Sequence, residues 1–446
     1  MVHSPSRTLL NSRRILSNYF NTLSSFKLEM VRFLPFPLHL QSNKPGQESD
    51  EFQSNLHSDS SSNSSLASQS SLQSVPSLSA PSSYNFEPPA SVSAYHQGLV
   101  TLKGHSSYVF SLTLAGKYLY SADSNGEIRV WDRINPSANN SCNGYTVAEG
   151  YGAVKFMVVL GEKLFTAHQD NKIRVWKVDS SSFLAQKYKI NATLPTMNDR
   201  CSKLFSARNY VKVRRNKKCT WVHHIDAVSA LSLSKDGSLL YSVSWDRTLK
   251  LWRTTDFRCL ESVQNAHDDA INAVVSSADG HIYTGSADKK IKVWKKNEGD
   301  QKHSLVATLE KHKSAVNALA LSTDGSVLYS GACDRSIIVW EKDGGAAHMV
   351  VAGALRGHTK AILCLTVVAN LLCSGSADKT VRVWRRGTGK SYSCLAVFEG
   401  HKSPIKCLTA ALDDNTSNDH SGKSCLVYSG SLDFDVKTWQ IWLPST

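Results

Sequence analysis

Seven tryptophans at a near-constant interval, each closing a short alternating apolar run, predict an all-β fold: a seven-bladed β-propeller preceded by a disordered Ser-rich tail. Trp131, Trp176, Trp252, Trp294, Trp340, Trp384 and Trp439 are separated by 45, 76, 42, 46, 44 and 55 residues. A four-stranded blade takes about 40–45 residues, so two intervals carry insertions. The runs that end on these residues, such as Ile128-Arg-Val-Trp131 and Val381-Arg-Val-Trp384, alternate with period two, the mark of strands with one face buried.

The register behind each Trp is sharper than the interval. Six residues upstream stand Asp170, Asp246, Asp288, Asp334, Asp378 and Asp433, with Asn125 in the first repeat. Ten upstream stand Ser121, Thr166, Ser242, Thr284, Ser330, Ser374 and Ser429, a hydroxyl in all seven. Further back come His105, His224, His267, His312, His358 and His401, where the second repeat has Tyr151. A buried indole N–H needs an acceptor, which the hydroxyl supplies; the hydroxyl donates to one imidazole nitrogen, and the other imidazole N–H reaches the Asp carboxylate. Structural tetrads are therefore expected at His224, Ser242, Asp246 and Trp252; His267, Thr284, Asp288 and Trp294; His312, Ser330, Asp334 and Trp340; His358, Ser374, Asp378 and Trp384; and His401, Ser429, Asp433 and Trp439. They mimic a hydrolase triad, but the hydroxyl faces an indole rather than a pocket, so no catalytic residue is assigned. Asn125 and Tyr151 predict that the chain of bonds is broken in the first two blades, leaving them less rigid at the face where the His loops and Asp turns emerge, the top face.

In chain order, residues 1–95 form the tail and 96–446 the propeller. Between Gln41 and Asn85 lie 17 Ser in 45 residues, with almost no β-branched or aromatic side chains to bury against the entropy of ordering them, so disorder is expected, the segment serving either as a phosphoacceptor tract or only as a spacer. Residues 1–29, Arg- and Ser-bearing with Glu29 as their one acid, are similar to a transit peptide, and Met30 reads as an alternative start. A basic insertion, 197–222, separates blades 2 and 3. The sequence ends four residues after Trp442, which predicts that Gly98-Leu-Val-Thr-Leu-Lys103 supplies the outer strand of the last blade and closes the ring. A polar insertion, Asp413 to Lys423, reads as a loop of blade 7.

These repeats resemble the WD40 family over residues 99–442. Asn209-Tyr-Val-Lys-Val-Arg-Arg215, Trp221 and His224-Ile-Asp-Ala-Val-Ser229 resemble the plant JINGUBANG-type members of that family. The resemblance implies a regulatory factor that restrains a developmental programme by binding transcription factors, in cytoplasm and nucleus. Some similar proteins carry a kinase name, which no kinase signature supports in this sequence.

For partner binding, the residues just before the turn Asp point to the top face: Trp245 and Leu432, beside Gln169 and Ser124. Trp245 is expected either to stand exposed as an anchor or to fold down over the rim, with Tyr108, Asp268, Lys313 and Lys402 as a polar surround. From Arg200 to Lys218 there are eight Lys/Arg and no acid. Lys212, Arg214, Arg215, Lys217 and Lys218, interleaved with Tyr210 and followed by Trp221, could follow phosphates, dock an acidic partner or serve nuclear import; the bland alternative is a solvated face. Gly387-Thr-Gly-Lys-Ser391 echoes a P-loop, but its required first Gly falls on Trp384, so a turn between strands is expected. Arg385-Arg386-Gly387 echoes a phosphoinositide motif in the same turn.

Composition narrows the classes. The 446 residues carry a net charge of +14, and residues 1–95 balance six basic against six acidic groups, so the excess belongs to the propeller. Ten cysteines without a C-x-x-C pair give no zinc or disulfide pattern, and no apolar stretch reaches the roughly 18 residues of a spanning helix. A monomeric protein-interaction scaffold without cofactor or metal is expected. Alternatives are a ubiquitin-ligase substrate receptor, weakened by the lack of a Trp-Asp-x-Arg after any blade Trp, and nucleic-acid binding through the basic loop.

Overall fold

The computed structural model describes residues 75–78, 94–133, 144–178, 188–214, 217–343, 349–387, 391–413 and 424–443. Seven four-stranded antiparallel sheets are arranged as blades, each ordered a, b, c, d from the inside outward. Blade 1 comprises Val109–Ala115, Tyr118–Asp123, Ile128–Asp132 and Tyr145–Ala148, and blade 2 comprises Val154–Leu160, Lys163–His168, Ile173–Lys177 and Lys189–Leu194. Blades 3 to 6 begin at Val228–Leu233, Ile271–Ser276, Val316–Leu321 and Ile362–Val368, and blade 7 at Ile405–Leu412. The inner strands neighbour one another in sequence around the ring, the seventh returning to the first.

Closure occurs as the sequence requires. His96–Leu102 pairs antiparallel with Val436–Trp442, from His96 opposite Ile441 to Leu102 opposite Val436. It starts two residues before the expected Gly98 and stops one short of Lys103. The first and last described strands thus share one sheet, which removes an open edge.

The core is seven separate apolar layers, one between each pair of adjacent blades. The layer between blades 1 and 2 contains Tyr120, Ile128, Met157 and Trp176, and the layer between blades 7 and 1 contains Val109, Leu119, Trp131 and Tyr428. Each blade therefore buries both faces against neighbours, which is why strands b and c carry near-continuous rather than strictly alternating burial, while the outer strands such as Lys189–Leu194 and Ser304–Leu309 begin exposed.

In all seven blades the pairing of strand a with strand b slips between the first and third residues of strand a. The residue at the slip, a β-bulge, is Phe110, Lys155, Ser229, Asn272, Asn317, Leu363 or Lys406. A bulge re-aims the side chain it carries.

Two segments depart from the expected plan. Val75–Leu78, inside the tail expected to be disordered, lies on the outer strand of blade 5, with Ser77 paired parallel to Ala354. The basic insertion is folded, with a helix α1 over Met197–Leu204 capped by Thr196 and a hairpin of Tyr210–Arg214 with Lys217–Thr220. Residues 1–74, including the transit-like segment, and the blade 7 insertion from residue 414 to 423 lie outside the described residues.

Candidate functional site

In blades 3 to 7 the tetrads form one repeated hydrogen-bond chain. In blade 5 the Trp340 indole donates to Ser330 Oγ at 2.8 Å, His312 Nε2 lies 2.8 Å from the same oxygen, and His312 Nδ1 lies 2.9 Å from Asp334. Blades 3, 4, 6 and 7 repeat the chain through Trp252, Trp294, Trp384 and Trp439. Burial would raise the Asp carboxyls, but the bonds and charge of the paired imidazoles outweigh it, holding Asp288 and Asp433 down at about 2. The hydroxyls of Ser242, Thr284, Ser330, Ser374 and Ser429 are fully buried under the indoles, out of reach of a substrate.

Blade 1 is not broken, contrary to the expectation from Asn125, and blade 2 rebuilds the chain as far as an imidazole, which ends on the Gly152 carbonyl at 3.3 Å rather than on a carboxylate. Both draw the substitute from the same position, the residue at the end of strand b, eight before the Trp. In blade 1 Asp123, fully buried, replaces the turn carboxylate: His105 Nδ1 lies 3.2 Å from it and His105 Nε2 2.7 Å from Ser121. In blade 2 His168 replaces the loop imidazole, with Nε2 2.8 Å from Thr166 Oγ1, which also receives the Trp176 indole at 2.9 Å. Asp170 is thereby released and holds Arg174 through two bonds of 3.1 and 2.6 Å. Arg174 stacks over Tyr151, which packs edge-on against Trp176. Burial, then the nearby Arg174 charge, lowers the His168 pKa to about 4. His105, Asp123 and Glu127 also bring potential ligand atoms within 4.8 Å of one another, but both His105 nitrogens are already engaged in the blade network.

The top face is built from equivalent seats. The residue before each turn Asp, or before Asn125 in blade 1, donates its backbone N–H to the residue preceding strand a: Ser124 to Tyr108, Gln169 to Ala153, Trp245 to Ala227, Ala287 to Ala270, Cys333 to Ala315, Ala377 to Ala361 and Leu432 to Pro404. The residue after each Asp has φ between 62° and 74° in blades 2 to 7. Asn171, Arg247, Lys289, Arg335 and Lys379 fill this strained seat, and blade 7 places Phe434 there.

At the mouth of the central channel Trp245 and Tyr108, which the sequence assigned to this face, meet Phe110, Lys155 and Phe434, which it did not. Lys155 Nζ lies 4.6 Å from the Phe110 ring and 5.1 Å from the Trp245 ring. Tyr108 stacks with Phe110 and meets Phe434 at 5.4 Å. Tyr108 and Phe434 are 46% and 40% exposed. Burial, then the charge of Lys406 on the inner strand of blade 7, pulls the Lys155 pKa down to about 8. Among the described residues no carboxylate forms an ion pair with either lysine. Phe110, Lys155 and Lys406 escaped sequence reading because each sits on a bulge, where alternation no longer tells which way a side chain faces.

Of the predicted contact residues, Trp245 is half-buried, packed over Lys155 rather than free-standing; Leu432 is half-buried; and Tyr108, Gln169, Asp268, Lys313 and Lys402 are exposed. The backbone N–H groups of Asp268, Lys313 and Lys402 donate to the tetrad carboxylates of Asp288, Asp334 and Asp433, which fixes where their side chains leave the loops. In the basic insertion Lys218 is exposed, Lys212, Arg214 and Lys217 lie on the hairpin backbone, and Arg215 lies outside the described residues. Trp221 anchors the insertion: its indole donates to Asn209 at 3.2 Å, Lys203 stands over its ring, and its carbonyl accepts from the buried Lys250. Gly387, directly after strand c of blade 6, donates its N–H to the Ser391 carbonyl, before strand d, at 2.8 Å; residues 388–390 of the P-loop-like stretch lie outside the described residues. Arg386 is held by Glu341.

Comparison with known proteins agrees with this geometry. The profile of the family described as WD domain, G-beta repeat matches residues 97–132, 216–253, 258–295, 303–341, 350–385 and 392–440, together more than half of the chain. The unmatched stretch contains blade 2, where His168 replaces the loop histidine. The chain is 26% identical over 190 residues to autophagy-related protein 16 of Arabidopsis thaliana, covering 40% of this chain and 35% of that protein. It is 32% identical over 102 residues to the small ribosomal subunit protein RACK1 of Drosophila melanogaster, covering 22% of this chain and 30% of that protein. Striatin-4 of Homo sapiens is 26% identical over 200 residues, covering 39% of this chain and 26% of that protein. These matches span about a third or less of each relative.

Proposed function

The chain belongs to the WD domain, G-beta repeat family, and from that premise we propose that it is a non-enzymatic protein-interaction scaffold whose channel mouth takes an acidic group of a partner protein. The observation that carries this reading is Lys155, a partly desolvated lysine between Phe110 and Trp245 with Lys406 as its charged neighbour. A cation withdrawn from water without a counterion is costly, and a carboxylate or phosphorylated side chain entering the mouth would offset that cost. Aromatic walls would strengthen the pairing by excluding water and by contributing contact area.

The resemblance of the 209–229 segment to JINGUBANG-type proteins supports a finer version: a plant regulator acting on transcription factors in cytoplasm and nucleus, with the propeller as a monomer. A second reading, nucleic-acid binding, rests on the run of lysines and arginines in the 200–218 insertion and its hairpin. Capture from plant cells separates the two. Trp245→Ala is expected to lose specific proteins while a chain with Lys212, Arg214, Arg215, Lys217 and Lys218 neutralised retains them, each variant melting near wild type. Loss confined to the hairpin variant, of material sensitive to nuclease and released with the steep salt dependence of phosphate contacts, overturns the scaffold reading.

A further inference from the structure

The outer strand of blade 5, Met349–Leu355, holds an extended segment of the tail by main-chain hydrogen bonds. The Leu78 N–H donates to the Ala354 carbonyl at 2.9 Å, and the Ala354 N–H donates to the Pro76 carbonyl at 2.9 Å. Arg356 donates to the Val75 carbonyl at 2.9 Å, and the Tyr392 N–H of blade 6 donates to the Leu78 carbonyl at 3.3 Å. Both apolar side chains are used. Val75 packs into the layer between blades 4 and 5, and Leu78 into the layer between blades 5 and 6, beside Tyr329 and Tyr392.

The seat is specific to this blade. A Cβ added to Gly353 would run into the Leu78 side chain. Where Gly353 opposes Val339, the matching pairs place Ala192 in blade 2, Glu261 in blade 3, Ala307 in blade 4 and Ala396 in blade 6. In these four blades a side chain fills the place that blade 5 leaves open for leucine.

We infer that the outer edge of blade 5 is a peptide-docking groove for an extended apolar-Pro-x-Leu segment, and that Val75–Leu78 of this same chain is its resident occupant. Strand addition supplies the affinity and the two side-chain seats supply the selectivity; Pro76, with φ already restricted, reduces the entropy lost on docking. Sixteen residues from Leu78 bring the chain to Ala94, so the segment is presented at an effective concentration on the order of millimolar. A weak groove is thereby kept filled in cis. This inference is independent of the channel mouth.

The test uses the full chain. Hydrogen exchange at the Ala354 amide, whose acceptor is Pro76, is expected to be slowed at least about tenfold in wild type relative to Leu78→Asp, which loses the Leu78 packing and melts slightly lower but still in one cooperative transition. A labelled peptide of residues 74–79 is expected to bind Leu78→Asp at least about tenfold more tightly than wild type, and to be lost when Gly353→Val is added. Equal Ala354 exchange in wild type and Leu78→Asp overturns the inference, as does peptide binding that is the same in both. If Gly353→Val impairs folding, the exchange and peptide comparisons between wild type and Leu78→Asp still decide it.

Discussion

Blades 1 and 2 differ from blades 4 and 5 at the same register positions, and the difference separates what holds the ring from what it presents. At the bulge of strand a, Asn272 donates to the Val316 carbonyl at 3.0 Å and Asn317 to the Ile362 carbonyl at 2.8 Å; each spends its side chain on the next blade. Phe110 and Lys155 occupy that seat in blades 1 and 2 and turn instead to Trp245 and to one another. The same two blades build their hydrogen-bond chains from Asp123 and His168 rather than from the usual loop and turn positions. A repeat fold therefore leaves its backbone plan unchanged while a few seats exchange interblade bonding for surface chemistry.

Acid should expose the difference most strongly. His168 has a folded pKa near 4 against about 6.5 unfolded, so its contribution is complete above pH 6.5 and lost as pH falls toward 4, by about 3 kcal/mol in full. Asp288 and Asp433, held at about 2, contribute above their ordinary values and lose that contribution only below about pH 3.8. Denaturant melts between pH 7 and 4 should slope downward in wild type and less steeply in His168→Gln, where His223 and His224, also lowered by burial, keep part of the slope; equal slopes would remove blade 2 from the account.

Restoring the usual arrangement sharpens the comparison. His168→Ser should cost about 2 kcal/mol, through a lost bond to Thr166 and a small cavity, and adding Tyr151→His should recover about half, because a loop imidazole can then reach Thr166. Tyr151→His alone should give no stability, since the Thr166 hydroxyl is already taken. Chemical denaturation of the three variants checks this.

A smaller effect is expected at the bulge seats. Asn317→Leu should cost about 1.5 kcal/mol by leaving the Ile362 carbonyl without its donor, while Lys155→Met, at the equivalent position, should leave stability unchanged or raise it by removing a desolvated charge. Equal losses at both would mean that Lys155 is structural.

The ring was legible because tetrad chemistry fixes four residue types at set distances, and no other fold needs that register. Asp123 and His168 were legible in principle: the corresponding residues in blades 3 to 7 are Ser244, Ser286, Ala332, Ser376 and Ser431, so a charged or imidazole side chain there was a signal. Lys155 and Phe110 were not, because a bulge reverses the alternation from which facing is read. Val75–Leu78 was hidden in a Ser-rich average, and its seat depends on Gly353, whose role appears only once strand register is known. Asp268, Lys313 and Lys402 were found as loop residues from the position of the histidines, but their geometry comes from backbone bonds that spacing alone does not reveal.

The most direct test of the channel-mouth claim is the affinity of a captured protein partner for wild type and for Lys155→Met between pH 7 and 9. With Lys155 titrating near 8, wild-type affinity should fall about tenfold across that range as the cation is lost, whereas Lys155→Met should bind weakly with no such slope. Parallel profiles, or undiminished binding by Lys155→Met at pH 7, would contradict the account and move the docking surface away from the mouth.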